Sequence, residues 1–508
     1  MIFIQTLYID VGKDPFRDTF GWVAPEYHLM GWALSCLQLH KLYGNITLYA
    51  NSRAAHLLID TLQLPYSNVH LAHDELTLIH PELWALPKIY TYSLQEQPFL
   101  HIDGDVFLFS PFNLDLLEGE LIAQNVEVAT EKYYRVTQKA LMQHFTFFPP
   151  CVKKDFESGI PVQCCNAGIL GGHNLTFFRD YAASVFEYIY QNVDSLKYIN
   201  VGNFNVFFEQ HLFYALAKEK GISVSVLFER VIEDNGYKYI GDFQDVPFRR
   251  NYLHLLGHFK RDEFTCIQMA AKLRELYPEY YERIVTLFQN KNLRLSPCGF
   301  RNSINASTRL VDEQANTHLQ RLKYAATQCP PYIDQELFQR DFETFYQRLV
   351  SFVSIRAIRG FEELQKRDLE AQHWYRNLFA NSTAVAYQSI VNCSEWDVYE
   401  SAFNWTGLFN KSYRVGTSYY ADLQIEKGQF FNLVVAEATD NGFSLYDINE
   451  IDYALLQLLS EPLSISEVLA KMEMYFEDDV LQHHFQTYEE LILSSIKQLV
   501  IYKTIKPL

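Results

Sequence analysis

Short β-prone runs alternate with amphipathic helices from the start of this chain, and that order restricts it to α/β architectures with a largely parallel sheet. IFIQTLYI (2–9) reads as a strand. Pro25 suits the first turn of a helix that carries His28, Leu29, Trp32, Ala33, Cys36, Leu37 and Leu39 and ends at Gly44. NITLYAN (45–51) is strand, SRAAHLLIDTLQL (52–64) is helix with Ser52 as its cap, and NVHLAHD (68–74) is strand again. A helix over 82–95 leads into PFLHI (98–102), an apolar run short enough for a buried strand.

The alternation continues with a strand near 164–170, helices over 176–192 and 205–220, a strand over 251–256 and a helix over 263–289. These elements define a first domain over 1–289. Asn/Ser/Pro-rich text (SPCGFRNSINAST) marks 290–330 as a linker, and 331–381 reads as a helical segment. From 382 to 508 strands come first and helices follow.

Charge narrows the function classes. The 43 basic and 61 acidic residues sum to −18, and no basic face of the kind that duplex binding requires is evident. The eight cysteines contain no Cys-x-x-Cys pair, which fits reduced thiols in a cytoplasmic protein. MIFIQTLYIDVGKD lacks a basic n-region and a cleavage pattern, and no apolar run approaches the length of a membrane span.

The strongest local signal is FLHIDGDVFLF (99–109). A buried strand there delivers Asp103 and Asp105 to its C-terminal end, where open α/β sheets place ligands. With only Gly104 between them, the two carboxylates offer hard oxygen ligands to one Mg²⁺ or Mn²⁺, and a diphosphate would complete the shell. YLHLLGHFK (252–260) adds His254 as a candidate imidazole ligand, Gly257 for close backbone approach to a phosphate, and Lys260 to neutralise it.

Asp-x-Asp followed by His-x-x-Gly-x-x-Lys resembles the retaining glycosyltransferases of family eight, with their glycogenin-like motifs. Three further elements match in order: Lys88, 15 residues before Asp103; CNAGILGG (165–172); and FFEQHLFYALA (207–217). The resemblance covers roughly 1–260 and implies a GT-A, Rossmann-like nucleotide-sugar domain that binds Mn²⁺ or Mg²⁺ and a UDP-sugar donor. It implies that Asp103, Asp105 and His254 hold the metal, that Lys88, Gly104, Gly257 and Lys260 meet the donor, and that Asn166 and Gln210 orient sugar and acceptor. Glu209 is a candidate nucleophile. The sequence departs from the family at Arg261-Asp262 and at Glu209-Gln210-His211. The run WALSCLQLHKLYGNITLYAN (32–51) also resembles an uncharacterised bacterial family of glycosyltransferase type.

In the C-terminal part, FFNLVVAEA and FSLYD are strands joined through Asp440-Asn441-Gly442, a hairpin signal. Asn449 starts one helix, Ser464 and Glu467 form a capping box for a second, a third runs near 486–499, and IYKTI is a terminal strand. That layout describes a winged helix, and its acidic residues argue against phosphate contact. It resembles the recognition element of enzymes that modify ribosomally made peptides (RiPPs), in which a peptide adds a strand to a small sheet; a purely structural or dimerising domain is the other reading. The expected function is transfer of a sugar to an acceptor, with a peptide held by this domain as the leading candidate. The alternatives are a glycan or lipopolysaccharide acceptor, and a non-catalytic peptide-binding protein on a degenerate transferase fold.

Overall fold

A computed structural model describes residues 1–293 (apart from 77, 79, 130, 131, 234–239, 242, 244, 245, 249, 258 and 262), 334–356, 370, 371, 374, 389–393, 396–407, 426–436 and 443–508 apart from 477. Most of the expected linker, part of the 331–381 segment and the Asp440-Asn441-Gly442 turn lie outside the described residues. The chain forms two compact units: Met1–Arg261 with Glu279–Leu293, and Asp262–Pro278 with Arg294–Leu508.

The first unit is a mixed α/β structure. Its strands are β1 (Ile2–Leu7), β2 (Ile46–Ala50), β3 (Asn68–His70), β4 (Phe99–Ile102), β5 (Val106–Leu108), β6 (Leu121–Val128), β7 (Gln163–Cys165), β8 (Ile169–Gly172), β9 (Val224–Glu233) and β10 (Tyr252–His254). The main sheet runs β3-β2-β1-β4-β8-β6-β7, with β9 also on β6. Pairing is parallel from β3 through β4 and between β6 and β9. The expected parallel sheet is thus only part of the truth, because β8 enters antiparallel to both β4 and β6 and β7 is antiparallel to β6.

Both faces of this sheet are covered, and successive residues show it. Ile4, Phe99, Leu121 and Leu170 enter one apolar core. Phe3, Leu100, Ile122 and Ile169 enter the other. A strand alternates its side chains between faces, so burial on both sides demands the near-continuous apolar runs seen in the sequence.

Several sequence expectations need correction. The cap of the helix at 52 is Asn51, not Ser52: its Oδ1 accepts from the Ala54 and Ile9 amides, while Ser52 Oγ donates to Asp74. That helix widens into a π-turn over His56–Thr61. The helix expected over 82–95 spans only Leu86–Ser93 and has Pro87 in its first turn. The strand expected over 164–170 is two strands, because the Asn166 side chain accepts from the Gly168 amide and turns the chain. Residues 201–220 are helical in three pieces, Val201–Val206, a π-turn Phe207–His211, and Leu212–Lys220. Pro278 divides the expected 263–289 helix into Glu263–Leu276 and Pro278–Asn290, since proline lacks the amide needed to continue it.

The second unit holds the helix Gln335–Arg356 and the strands β11 (Ser389–Asn392), β12 (Trp396–Phe403), β13 (Lys427–Ala436), β14 (Phe443–Ile448), β15 (Leu463–Ser464) and β16 (Ile505–Pro507). Two three-stranded sheets result, β12-β13-β14 and β15-β11-β16. Asn449 with Asp452 and Ser464 with Glu467 make reciprocal capping boxes. The third helix, Asp478–Ile501, is longer than expected, and the terminal strand lies later, at β16. Tyr488, Ile492, Ile496 and Leu499 recur at helical spacing and bury against Leu433 and Leu455. Among the described residues, no helix is long and apolar enough to cross a membrane.

Candidate functional site

The site in the first unit is built by one tight turn and one short strand pair. β4 ends at Ile102, and the Asp103 amide donates to the Gly168 carbonyl at 3.0 Å. The Val106 amide donates back to the Asp103 carbonyl at 3.1 Å, so the chain reverses through Asp103-Gly104-Asp105 before β5 begins. Gly104 is required there: a Cβ would lie 2.5 Å from the Trp32 ring. Trp32 is fixed in turn, since its indole N–H donates to His28 Nε2 at 3.0 Å.

β5 pairs antiparallel with β10, and the register sets His254 opposite Val106. The Leu255 amide donates to the Asp105 carbonyl at 3.0 Å and fixes this register at the turn. Ligand atoms of Asp103, Asp105 and His254 consequently lie within 4.8 Å of one another. His254 Nδ1 is 2.7 Å from Gln124 Oε1, which also accepts from the Tyr252 hydroxyl at 2.5 Å. A carbonyl oxygen only accepts, so Nδ1 carries a proton, and in the neutral ring Nε2 keeps a lone pair. That lone pair stands 3.5 Å from Asp105 Oδ1. Two acceptors facing each other, beside a second carboxylate, form a donor set suited to a divalent cation.

Two lysines hold the carboxylates. Lys88 Nζ is 3.0 and 3.1 Å from the Asp103 oxygens and 2.5 Å from Glu209 Oε1. Lys260 Nζ is 2.5 Å from Asp105 Oδ2. Burial pushes the Asp103 carboxyl up, Lys88 opposes this and Asp105 adds to it. Burial also opposes ionisation of Asp105, but its positive surroundings, the Lys260 ammonium first among them, outweigh it and hold that carboxyl well below its ordinary range. Glu209 is pushed up to about 7, by burial first, with Lys88 opposing and Asp103 adding. Counted with all three carboxyls ionised, three carboxylates against two ammonium groups leave one net negative charge (−3 + 2 = −1) before any ligand binds.

A cavity of about 250 Å³ opens on this cluster. Lys88, Asp103, Gly104, Asp105 and Lys260 line it together with Tyr8, Phe20, Trp22, Trp32 and Trp84. Trp84 is half exposed, yet its backbone is held on both sides, by Asn205 accepting from the Ala85 amide and donating to the Glu82 carbonyl.

The other sequence candidates fall elsewhere. Asn166 is buried and shapes the turn to Gly168. Gln210 is half-buried on the π-turn and outside the residues that line the cavity. Glu209 is fully buried beneath Lys88, also outside that lining. Gly257 has open space where a Cβ would project, which leaves room beside its backbone. The sequence reading assigned no role to Gln124 or Gly168. A Cβ on Gly168 would collide with His254 and Gln124, so this glycine lets the imidazole approach. Its signal was present in CNAGILGG, whereas Gln124 lies in a strand whose buried polar residue has no sequence pattern of its own.

A family described as "Family of unknown function (DUF6734)" matches residues 1–287. No curated protein matches. Among solved structures, the chain is similar to the galactosyltransferase LgtC in complex with donor and acceptor sugar analogues, at 12% identity over 41% of this chain and 70% of that one, with a TM-score of 0.23. It is similar to the glycosyltransferase GlyE of Streptococcus pneumoniae TIGR4, at 13% identity over 63% and 72%, with a TM-score of 0.27. Mouse xyloside xylosyltransferase 1 follows at 12% identity over 44% and 84%, with a TM-score of 0.24.

Proposed function

The chain belongs to the DUF6734 family of unknown function, and from the chemistry of its site we propose that it is a metal-dependent glycosyltransferase using a nucleotide diphosphate sugar. The observation that carries this is the convergence of Asp103, Asp105 and His254 within 4.8 Å, with a lysine against each carboxylate. Mn²⁺ or Mg²⁺ held by these three residues would neutralise the charge that develops on a departing diphosphate. Lys88 and Lys260 would meet phosphate oxygens, and the open flank of Gly257 would admit the diphosphate to its backbone. Asn166 would hold the turn on which Gly168 and His254 depend, and Gln210 would orient sugar or acceptor after donor binding. The motif order favours a UDP-sugar and retention of anomeric configuration.

For the acceptor, the proposal is a ribosomally made peptide bound by the winged-helix part of the second unit, in the cytoplasm. The support is a groove of about 430 Å³ beside the end of β14, the last strand of β12-β13-β14. Asp447, Ile448, Asn449 and Asp452 form one side, and Leu491, Ser494, Ser495, Gln498 and Tyr502 the other. A sheet-end strand beside a helix is the geometry that strand addition uses. Its acidic residues suit a peptide carrying Lys or Arg.

The test is a screen of UDP-sugars for Mn²⁺-dependent hydrolysis by the full chain. Release of UDP from one donor, lost in Asp103→Asn and Asp105→Asn variants that remain folded, is the expected result. Absence of both binding and turnover across nucleotide sugars of every base would reject the proposal.

A further inference from the structure

Glu209 is a buried charge that the proposed chemistry leaves without a task. It lies on the π-turn Phe207–His211 and has no exposed surface. Among the described residues its ion-pair partner is Lys88, at 2.5 Å. A carboxylate taken wholly out of water carries a large desolvation penalty, and an apolar side chain would fill the same space without it.

The geometry around Lys88 gives the charge a use. Its ammonium is shared between Glu209 and both oxygens of Asp103. A divalent ion on Asp103 competes for the same carboxylate and repels the ammonium. A buried ammonium stripped of its counter-ion is strongly disfavoured, so Lys88 alone would cling to Asp103 and oppose the ion. Glu209 remains as a counter-ion once Asp103 has been taken. The sum over the cluster agrees, because a net −1 becomes +1 with a divalent ion but +2 if Glu209 is neutral.

Resting on the metal-dependent reading above, the geometry points to Glu209 as a positioning residue that draws Lys88 off Asp103, so that this carboxylate becomes available to the ion. It does so without ligating metal or touching substrate. Lys88 then stays charged and at the cavity wall, ready for an anionic ligand.

Calorimetric titration of Mn²⁺ into the full chain, without nucleotide, tests this. Glu209→Gln should weaken Mn²⁺ binding about 10–100-fold, as loss of an outer-shell partner does. The double variant Lys88→Met/Glu209→Gln removes both charges, and should bind Mn²⁺ at least as tightly as wild type, to within about threefold. A residue that merely supports the fold would leave the double variant as impaired as the single one, which overturns the inference. Unchanged Mn²⁺ affinity in Glu209→Gln overturns it equally. If Glu209→Gln does not fold, the double variant against wild type decides, and weak binding there overturns the inference. A wild-type chain that binds no Mn²⁺ overturns the metal reading and this inference with it; tight wild-type binding with a failed Glu209 comparison overturns the inference alone.

Discussion

Replacing Gly168 by Ala adds one methyl at the most crowded point of the site. The new Cβ would stand 2.6 Å from His254 Cε1 and 2.5 Å from Gln124 Oε1. The first separation is about 1 Å short of where carbon atoms rest. The Gly168 backbone cannot retreat freely, because its carbonyl accepts from the Asp103 amide and its own amide is held by Asn166. The imidazole must therefore move, and its 2.7 Å bond to Gln124 lengthens or breaks. Overpacking of this kind costs ~1–3 kcal/mol, and the lost hydrogen bond about 1 kcal/mol more. Metal sites tolerate displacements of only about 0.2 Å, so Mn²⁺ affinity should fall about 10–100-fold. Urea unfolding and Mn²⁺ titration measure the two effects. In a His254→Ala background the same methyl finds space, and its stability cost should shrink by about 1 kcal/mol. Wild-type stability and wild-type Mn²⁺ affinity in Gly168→Ala would refute the reasoning.

Gly257→Ala supplies the contrast: nothing lies within 4 Å of its Cβ, so folding stability should stay within about 0.5 kcal/mol of wild type while UDP affinity falls. Lys88→Ala and Lys260→Ala should each weaken UDP binding much more than uridine binding in paired titrations; equal losses would assign the lysines to the fold. Burial depresses the His28 imidazole to about 3, with Lys260 adding to this and Asp105 opposing. A folded-state pKa below that of the unfolded chain means that stability is complete above about pH 6.5 and is lost as pH falls towards 3. His28→Gln should therefore flatten the acid limb of the stability–pH curve by up to one proton, and an unaltered slope would contradict the assignment. Ser494→Trp, on the exposed side of the groove beside β14, should leave UDP-sugar hydrolysis intact and abolish transfer to a peptide acceptor.

How much of this was legible in the sequence varies with the physics involved. The apolar run before Asp103 and the strand ending at His254 could be read because burial and alternation are local properties. Asp103 and His254, 151 positions apart (254 − 103), meet through the β5–β10 register, and only the resemblance in motif order linked them. Lys88 was legible by its place in that order, whereas its sharing between Asp103 and Glu209 depends on a π-turn that no propensity marks. Gln124 stayed hidden because a polar residue inside an apolar strand declares itself only when its partner is seen. The antiparallel entry of β8 was missed because 164–170 reads as one strand, whereas the turn at Asn166 splits it and sends the second piece between β4 and β6.

The central claim is that Asp103, Asp105 and His254 hold a divalent ion against which a nucleotide diphosphate is set by Lys88 and Lys260. Anomalous diffraction at the manganese edge, from crystals of the full chain grown with MnCl₂ and UDP, tests it most directly. The account predicts one Mn²⁺ peak bounded by those three side chains, with diphosphate density in the cavity beside Lys260. Manganese bound away from this triad, or UDP lying outside that cavity, would contradict it.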